Sequence, residues 1–169
     1  MSSKPNPDEY AAYYGKYINL AGDEPILDTL QQLKEDTYSF FNSIDTDKAD
    51  YAYAEGKWTI KEVLGHLIDA ERTFAYRALA FARGQEELPG FDENAYVENA
   101  HFDARLLKDL AAEFRQVRES NMYLFRSLSS EQLMATGVAS NNKVSVRAIL
   151  YITAGHEIHH LNIIKERYF

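Results

Sequence analysis

Four stretches of this chain repeat apolar residues at intervals of three and four, the pattern of helices that bury one face. The first runs from Pro25 to Ile44, with Ile26, Leu30, Leu33, Thr37, Phe40 and Ile44 on one stripe. The second runs from Thr59 to Arg83 along Val63, Leu67, Ala70, Phe74, Ala78 and Phe81. Thr59 and Glu62 have the spacing of a capping box, and Gly84 suits the C-terminal cap. The third runs from Asp103, a candidate N-cap, to Leu128, along Leu106, Leu110, Phe114, Val117 and Leu124. Ser129 and Gln132 then cap a further short turn. The fourth runs from Ser145 to Arg167, along Ile149, Thr153, His156, His160, Ile163 and Arg167. A helix with one apolar stripe must bury it against other elements. Four such helices predict an all-α fold, a four-helix bundle.

The chain has 169 residues, a length that suits one domain. Its helical core is expected over about 25–168, with residues 1–24 as an N-terminal extension packing on the bundle. Tyr10, Tyr13, Tyr14 and Tyr17 are expected on the outside of the bundle. Two connections, Asp45 to Trp58 and Gly84 to Phe102, fall outside helical periodicity and are long for a bundle. Connections of that length often carry function. They hold Tyr51, Tyr53, Trp58, Phe91, Tyr96 and Phe102 beside Asp92, Glu93 and Glu98, which can equally serve packing.

Composition narrows the chemistry. Lys and Arg total 18 against 26 Asp and Glu, a formal charge of −8 with no dense basic stripe. Nucleic-acid binding needs clustered cations to neutralise phosphates, so it is not expected. No apolar run reaches the length of a membrane span, and the N-terminus lacks an apolar signal core. A cytoplasmic location is the expectation. Cysteine is absent, which excludes thiolate metal sites and a cysteine nucleophile. Any metal must be held by His, Asp or Glu.

The five histidines are His66, His101, His156, His159 and His160. His156 and His160 are four apart and share one helix face. They replace apolar residues in the seam from Ile149 to Ile163, and buried unpaired imidazoles are costly. His66 lies between Val63 and Ala70 on the stripe of the second helix. A shared metal ion would satisfy all three and keep coordination positions open, as catalytic sites do. A polar histidine network, or a pair facing solvent, is the competing arrangement. His159 is the alternative partner, expected on the flank against a neighbouring helix or an acid. His101 is expected exposed. Asp69, three residues after His66, is a candidate outer acceptor for a ligand imidazole, or else an ion-pair partner of Arg72. Glu157 points away from His156 and is given no role.

These residues carry a family resemblance. The segment from Gly56 through Trp58 and His66 to Arg72 resembles the second-helix motif of the DinB-like (YfiT-type) superfamily. The segment from Ala154 through His156 and His160 to Ile164 is similar to its closing-helix motif. The likeness extends from about Tyr10 to Tyr168. It implies a four-helix bundle holding a divalent metal, nickel or zinc, on His66, His156 and His160. It also implies a homodimer acting on a small molecule, as a hydrolase or as a transferase using a low-molecular-weight thiol. With no cysteine in the chain, that thiol would be a cosubstrate, and Arg72 and Arg77 are candidates to hold its carboxylates. A non-catalytic metal- or ligand-binding stress-response module is the alternative.

Overall fold

The computed structural model describes residues 3–169. Its helices are α1 (Gly15–Leu20), α2 (Ile26–Asn42), α3 (Ile60–Ala82), α4 (Glu93–Ala100), α5 (Leu107–Ser127), α6 (Ser130–Met134) and α7 (Val146–Arg167). Strands β1 (Glu87–Leu88), β2 (Thr136–Ala139) and β3 (Asn142–Ser145) form a small sheet. Among the described residues no helix is long and apolar enough to cross a membrane.

Local chemistry sets the long helices. Thr59 Oγ1 accepts from the Glu62 amide at 3.2 Å, and the Glu62 carboxylate accepts from the Thr59 amide at 2.7 Å, so α3 starts in a capping box. It ends before Gly84, which takes a left-handed φ of +89°. Ser145 Oγ accepts from the Ala148 amide and caps α7. Ser129 and Gln132 close the same box on α6.

The bundle consists of α2, α3, α5 and α7. Helices α5 and α7 each pack on both α2 and α3, so the order round the ring is α2, α5, α3, α7. Consecutive helices α2 and α3 therefore occupy opposite corners. Two apolar clusters fill the two ends of the bundle. The N-terminal half of α2 and of α7 lies in one cluster, where α3 and α5 place their C-terminal halves. The directions round the ring are thus up, down, down, up.

Several expectations give way to tertiary packing. In α2 Ile26, Leu30 and Thr37 are buried as the stripe predicts, but Lys34 and Phe41 are buried with them while Leu33 and Phe40 are half-buried. Lys34 enters the interior because its ammonium pairs with Glu119 and Glu35. Helix α5 begins at Leu107, not Asp103, and Leu106 is exposed. Asp103 sits in a 3₁₀ turn, Phe102–Ala104. That turn is pinned to α3 because the Phe102 ring lies against Gly65, where an added Cβ would come within 2.3 Å of it. Further along, α5 buries Arg118, Met122 and Phe125 in place of Val117 and Leu124. Helix α7 is buried on every side from Ala148 to Glu157, and then buries Leu161 and Ile164 while Ile163 is half-buried and Arg167 exposed.

Two connections hold unexpected structure. The segment 84–102 contains β1 and α4, the latter capped by Asp92, which accepts from the Asn94 and Ala95 amides. Strands β2 and β3 form a hairpin whose turn residues, Ser140 and Asn141, have φ of 53° and 62°. Left-handed backbone at both positions matches the twist of a two-residue hairpin. Strand β1 pairs in parallel with β2, Glu87 to Val138 and Leu88 to Ala139. The hairpin thereby fastens the 84–102 segment to the bundle.

The N-terminal residues do more than cover the outside. Helix α1 lies on α7 so closely that a Cβ at Gly155 would be 1.8 Å from the Tyr17 carbonyl oxygen. Tyr17 and Ile18 are buried as a result, while Tyr13 stays exposed as expected.

Candidate functional site

A polar layer separates the two apolar clusters at the waist of the bundle. On one side it is a sealed ion network. The guanidinium of Arg118 donates to both Glu71 oxygens at 2.8 and 2.9 Å, to Glu157 Oε2 at 2.8 Å and to the Leu30 carbonyl at 3.1 Å. Thr37 donates to the other Glu157 oxygen, and Asn121 donates to Glu71. Burial raises the pKa of Glu157, and Arg118 opposes that rise. Glu157 does point away from the histidines, but it ends in this network, not in solvent. Sequence periodicity missed Glu71, Arg118 and Glu157 because a charge on a stripe reads as surface.

On the other side of the waist lie the histidines. Helix α3 supplies His66, and α7 supplies His156 and His160. The Nε2 atoms of His66 and His156 are 3.0 Å apart, and those of His156 and His160 are 3.2 Å apart. All three residues have a ligand nitrogen within 4.8 Å of one another. The competing solvent-facing arrangement is excluded, since His66 and His156 are buried and His160 is half-buried.

The nitrogen geometry suits a cation. Each neutral imidazole has one lone-pair nitrogen and one N–H. A proton between His156 and one neighbour leaves its contact with the other without a donor from the same atom. A single ion satisfies all three lone pairs. Imidazole nitrogens roughly 2.0–2.1 Å from one tetrahedral ion are about 3.3–3.4 Å apart, close to the spacing here. Protonation offers no such relief. Burial holds His66 at a pKa of about 4, and burial with the charges of His66, His159 and Lys16 holds His160 at about 3. His156 is pushed well below its ordinary value by burial and then by His160 and His66. Three neutral imidazoles near pH 7 are ready ligands.

Aromatic rings fix the imidazoles. Trp58 packs on His66 with ring centres 4.8 Å apart, and stacks near-parallel to His160 at 6.4 Å. Its backbone carbonyl accepts a 2.7 Å hydrogen bond from Tyr168, which ties the loop before α3 to the end of the chain. Tyr17 and Phe74 meet His156 edge-on at 5.5 and 5.6 Å. Sequence reading left Trp58 and Tyr17 as packing residues, because proximity across the bundle has no local signature.

The remaining expected residues fall as follows. His159 lies on the flank against α1, edge-on to Tyr17 at 5.5 Å. His101 is exposed at the left-handed end of α4. The Asp69 carboxylate is 3.9 Å from Arg72, and none of the hydrogen bonds among the described residues joins it to His66. Burial raises its pKa, with Arg72 opposing. Asp69 thus sits beside Arg72 on α3. Arg72 is also bound to Glu113 at 2.6 Å on the surface, whereas Arg77 is buried.

The histidines line a cavity of about 340 Å³. Its walls include Tyr14 and Tyr17 from the N-terminal segment, Phe74 and Arg77 from α3, Phe91 and Glu93 from the 84–102 segment, and Ser140 from the hairpin tip. The N-terminal segment, the 84–102 segment and the hairpin thus each contribute to the wall.

The chain belongs to the DinB superfamily, whose pattern it matches over residues 29–164. It is 28% identical over 127 residues to a protein from Oceanobacillus iheyensis provisionally named a metal-dependent hydrolase, covering 73% of this chain and 72% of that protein. Its fold is that of YfiT from Bacillus subtilis, described as a probable metal-dependent hydrolase with an unusual four-helix bundle topology. That match has a TM-score of 0.66 at 20% identity and covers 98% of this chain and 92% of YfiT. The DinB-like protein YjoA of Bacillus subtilis aligns with a TM-score of 0.60 at 23% identity, over 83% of this chain and 86% of YjoA.

Proposed function

We propose that this protein is a divalent-metal-dependent enzyme acting on a small molecule, with His66, His156 and His160 as the metal ligands. The observation that carries the proposal is the convergence of the Nε2 atoms of three neutral imidazoles on the wall of a 340 Å³ cavity. Three protein ligands leave room for a guest, the feature that distinguishes catalytic from structural sites. The DinB family and the hydrolase name of the Oceanobacillus relative support the same reading. A divalent ion held there supplies Lewis acidity, which makes a weak nucleophile competent at neutral pH.

The chain's own residues bind and orient. Trp58, Tyr17 and Phe74 pack on the imidazoles and restrict their orientation. With no cysteine in the chain, the nucleophile is water, making the enzyme a hydrolase, or a small thiol brought as cosubstrate. Three imidazoles accommodate both zinc and nickel.

The test uses tag-free protein loaded with zinc or nickel and offered ester, amide and phosphoester reporters, with and without low-molecular-weight thiols. One equivalent of metal and metal-dependent turnover are expected, with turnover lost in His160→Ala. Thiol-independent turnover assigns a hydrolase, and thiol-dependent turnover a transferase. Full metal loading with no turnover on any reporter would contradict the enzymatic reading.

A further inference from the structure

We propose that the substrate of this site carries an oxyanion, a carboxylate or a phosphate, held by Arg77 at the end of the cavity away from the histidines. The proposal rests on the enzymatic reading above and adds the chemical class of the substrate.

Four cationic side chains are buried: Lys34, Lys61, Arg77 and Arg118. Three have carboxylate partners. Lys34 pairs with Glu119 and Glu35, Lys61 with Asp50, and Arg118 with Glu71 and Glu157. Arg77 alone has no ion pair among the described residues. Its contacts are neutral: Ser140 Oγ at 3.1 Å, the Pro89 carbonyl at 3.5 Å, the Tyr14 hydroxyl and the face of Phe91 at 5.7 Å. A buried charge without a counter-charge is costly and calls for a partner. The desolvation is visible in a lowered guanidinium pKa.

Arg77 lines the histidine cavity. It is 11 residues after His66 on α3, three turns within about 20° of phase, so the two share one face with their Cα atoms roughly 16 Å apart. Phe74 lies between them along α3, about 80° round the helix from His66, lines the same cavity and meets His156 edge-on. Lys16 adds a second positive charge to the wall and Glu93 the one carboxylate. The order along the wall is histidines, aromatic surface, then guanidinium. A fitting molecule places its reacting group at the histidines, an apolar spacer against Phe74, and its oxyanion in the fork of Arg77. Ser140 and Tyr14 hold the fork, which gives the hairpin and the N-terminal segment a part in substrate selection.

The probes are monohydroxamates of the diacids from succinic to suberic acid, with the free end as carboxylate, phosphonate or primary amide. Calorimetry on the zinc-loaded protein is expected to show, at the best-fitting length, an oxyanion bound at least about tenfold tighter than the amide. Arg77→Gln should remove that preference and leave amide affinity unchanged; Arg77→Lys should keep part of it; Arg72→Gln should keep all of it. Helicity by circular dichroism checks that each variant folds. Equal affinity of oxyanion and amide at every length, or a preference that survives in Arg77→Gln, would overturn the proposal. Failure of acetohydroxamate to bind would instead count against the metal site. In that case suberate and suberamide are titrated into metal-free protein while the Arg77 Nε–H signal is followed by NMR. A shift with suberate alone supports the anchor, and no shift overturns it.

Discussion

His156 is the residue on which the site turns. Its Nε2 is the one that meets both other imidazoles, and its ring is wedged between Tyr17 and Phe74. The pH response of the metal-free protein follows from burial. The folded pKa values of His66 and His160 lie at about 4 and 3, and that of His156 is also depressed, while the unfolded chain titrates near 6.5. The unfolded state therefore binds more protons as pH falls below 6.5. Stability should be full above that value and decline down to about pH 3–4, by up to about 1.4 kcal/mol per pH unit for each imidazole. Chemical denaturation of metal-free protein from pH 7.5 to 4.5 checks this, and a flat profile would contradict it. The His66→Ala and His160→Ala variants should stay folded and lose tight zinc binding. They should also lose the thermal stabilisation by zinc, which reaches about 4 kcal/mol at a thousandfold excess over Kd.

At the scale of elements, α1 reaches the site because Gly155 lets two backbones meet. Gly155→Ala puts a Cβ where the Tyr17 carbonyl oxygen sits. It should push α1 off α7, cost about 1–3 kcal/mol in urea denaturation and weaken zinc binding through the loss of Tyr17 from His156. The helices that carry the histidines were legible in sequence, α3 through the Thr59–Glu62 box at its start and α7 through its apolar seam from Ile149 to Ile163. Position in a helical seam was then enough to aim His66, His156 and His160 at one another. The Ser140–Asn141 hairpin and α4 were not legible. The strands are only four residues long and α4 buries Val97 alone, too little pattern to separate from a loop. The wrong N-cap for α5 has a tertiary cause, the Phe102 ring seated on Gly65.

For the whole molecule, the waist is the organising feature, with a sealed ion network on one side and a metal-ready histidine cluster on the other. The network was invisible to apolar periodicity, since Arg118 and Glu157 belong inside only as a set. Arg118→Leu would strand Glu71 and Glu157 without their cation, and should destabilise the fold by about 3–5 kcal/mol. Urea denaturation at pH 7 measures that loss. A change under about 1 kcal/mol would mean that water enters the waist. The central claim is that two bundle helices bring three imidazole nitrogens to a single ion. Its most direct test is a crystal structure of zinc-loaded protein with anomalous diffraction data. The account predicts one strong anomalous peak within about 2.2 Å of the Nε2 atoms of His66, His156 and His160; a peak elsewhere, or none at full zinc loading, would contradict it.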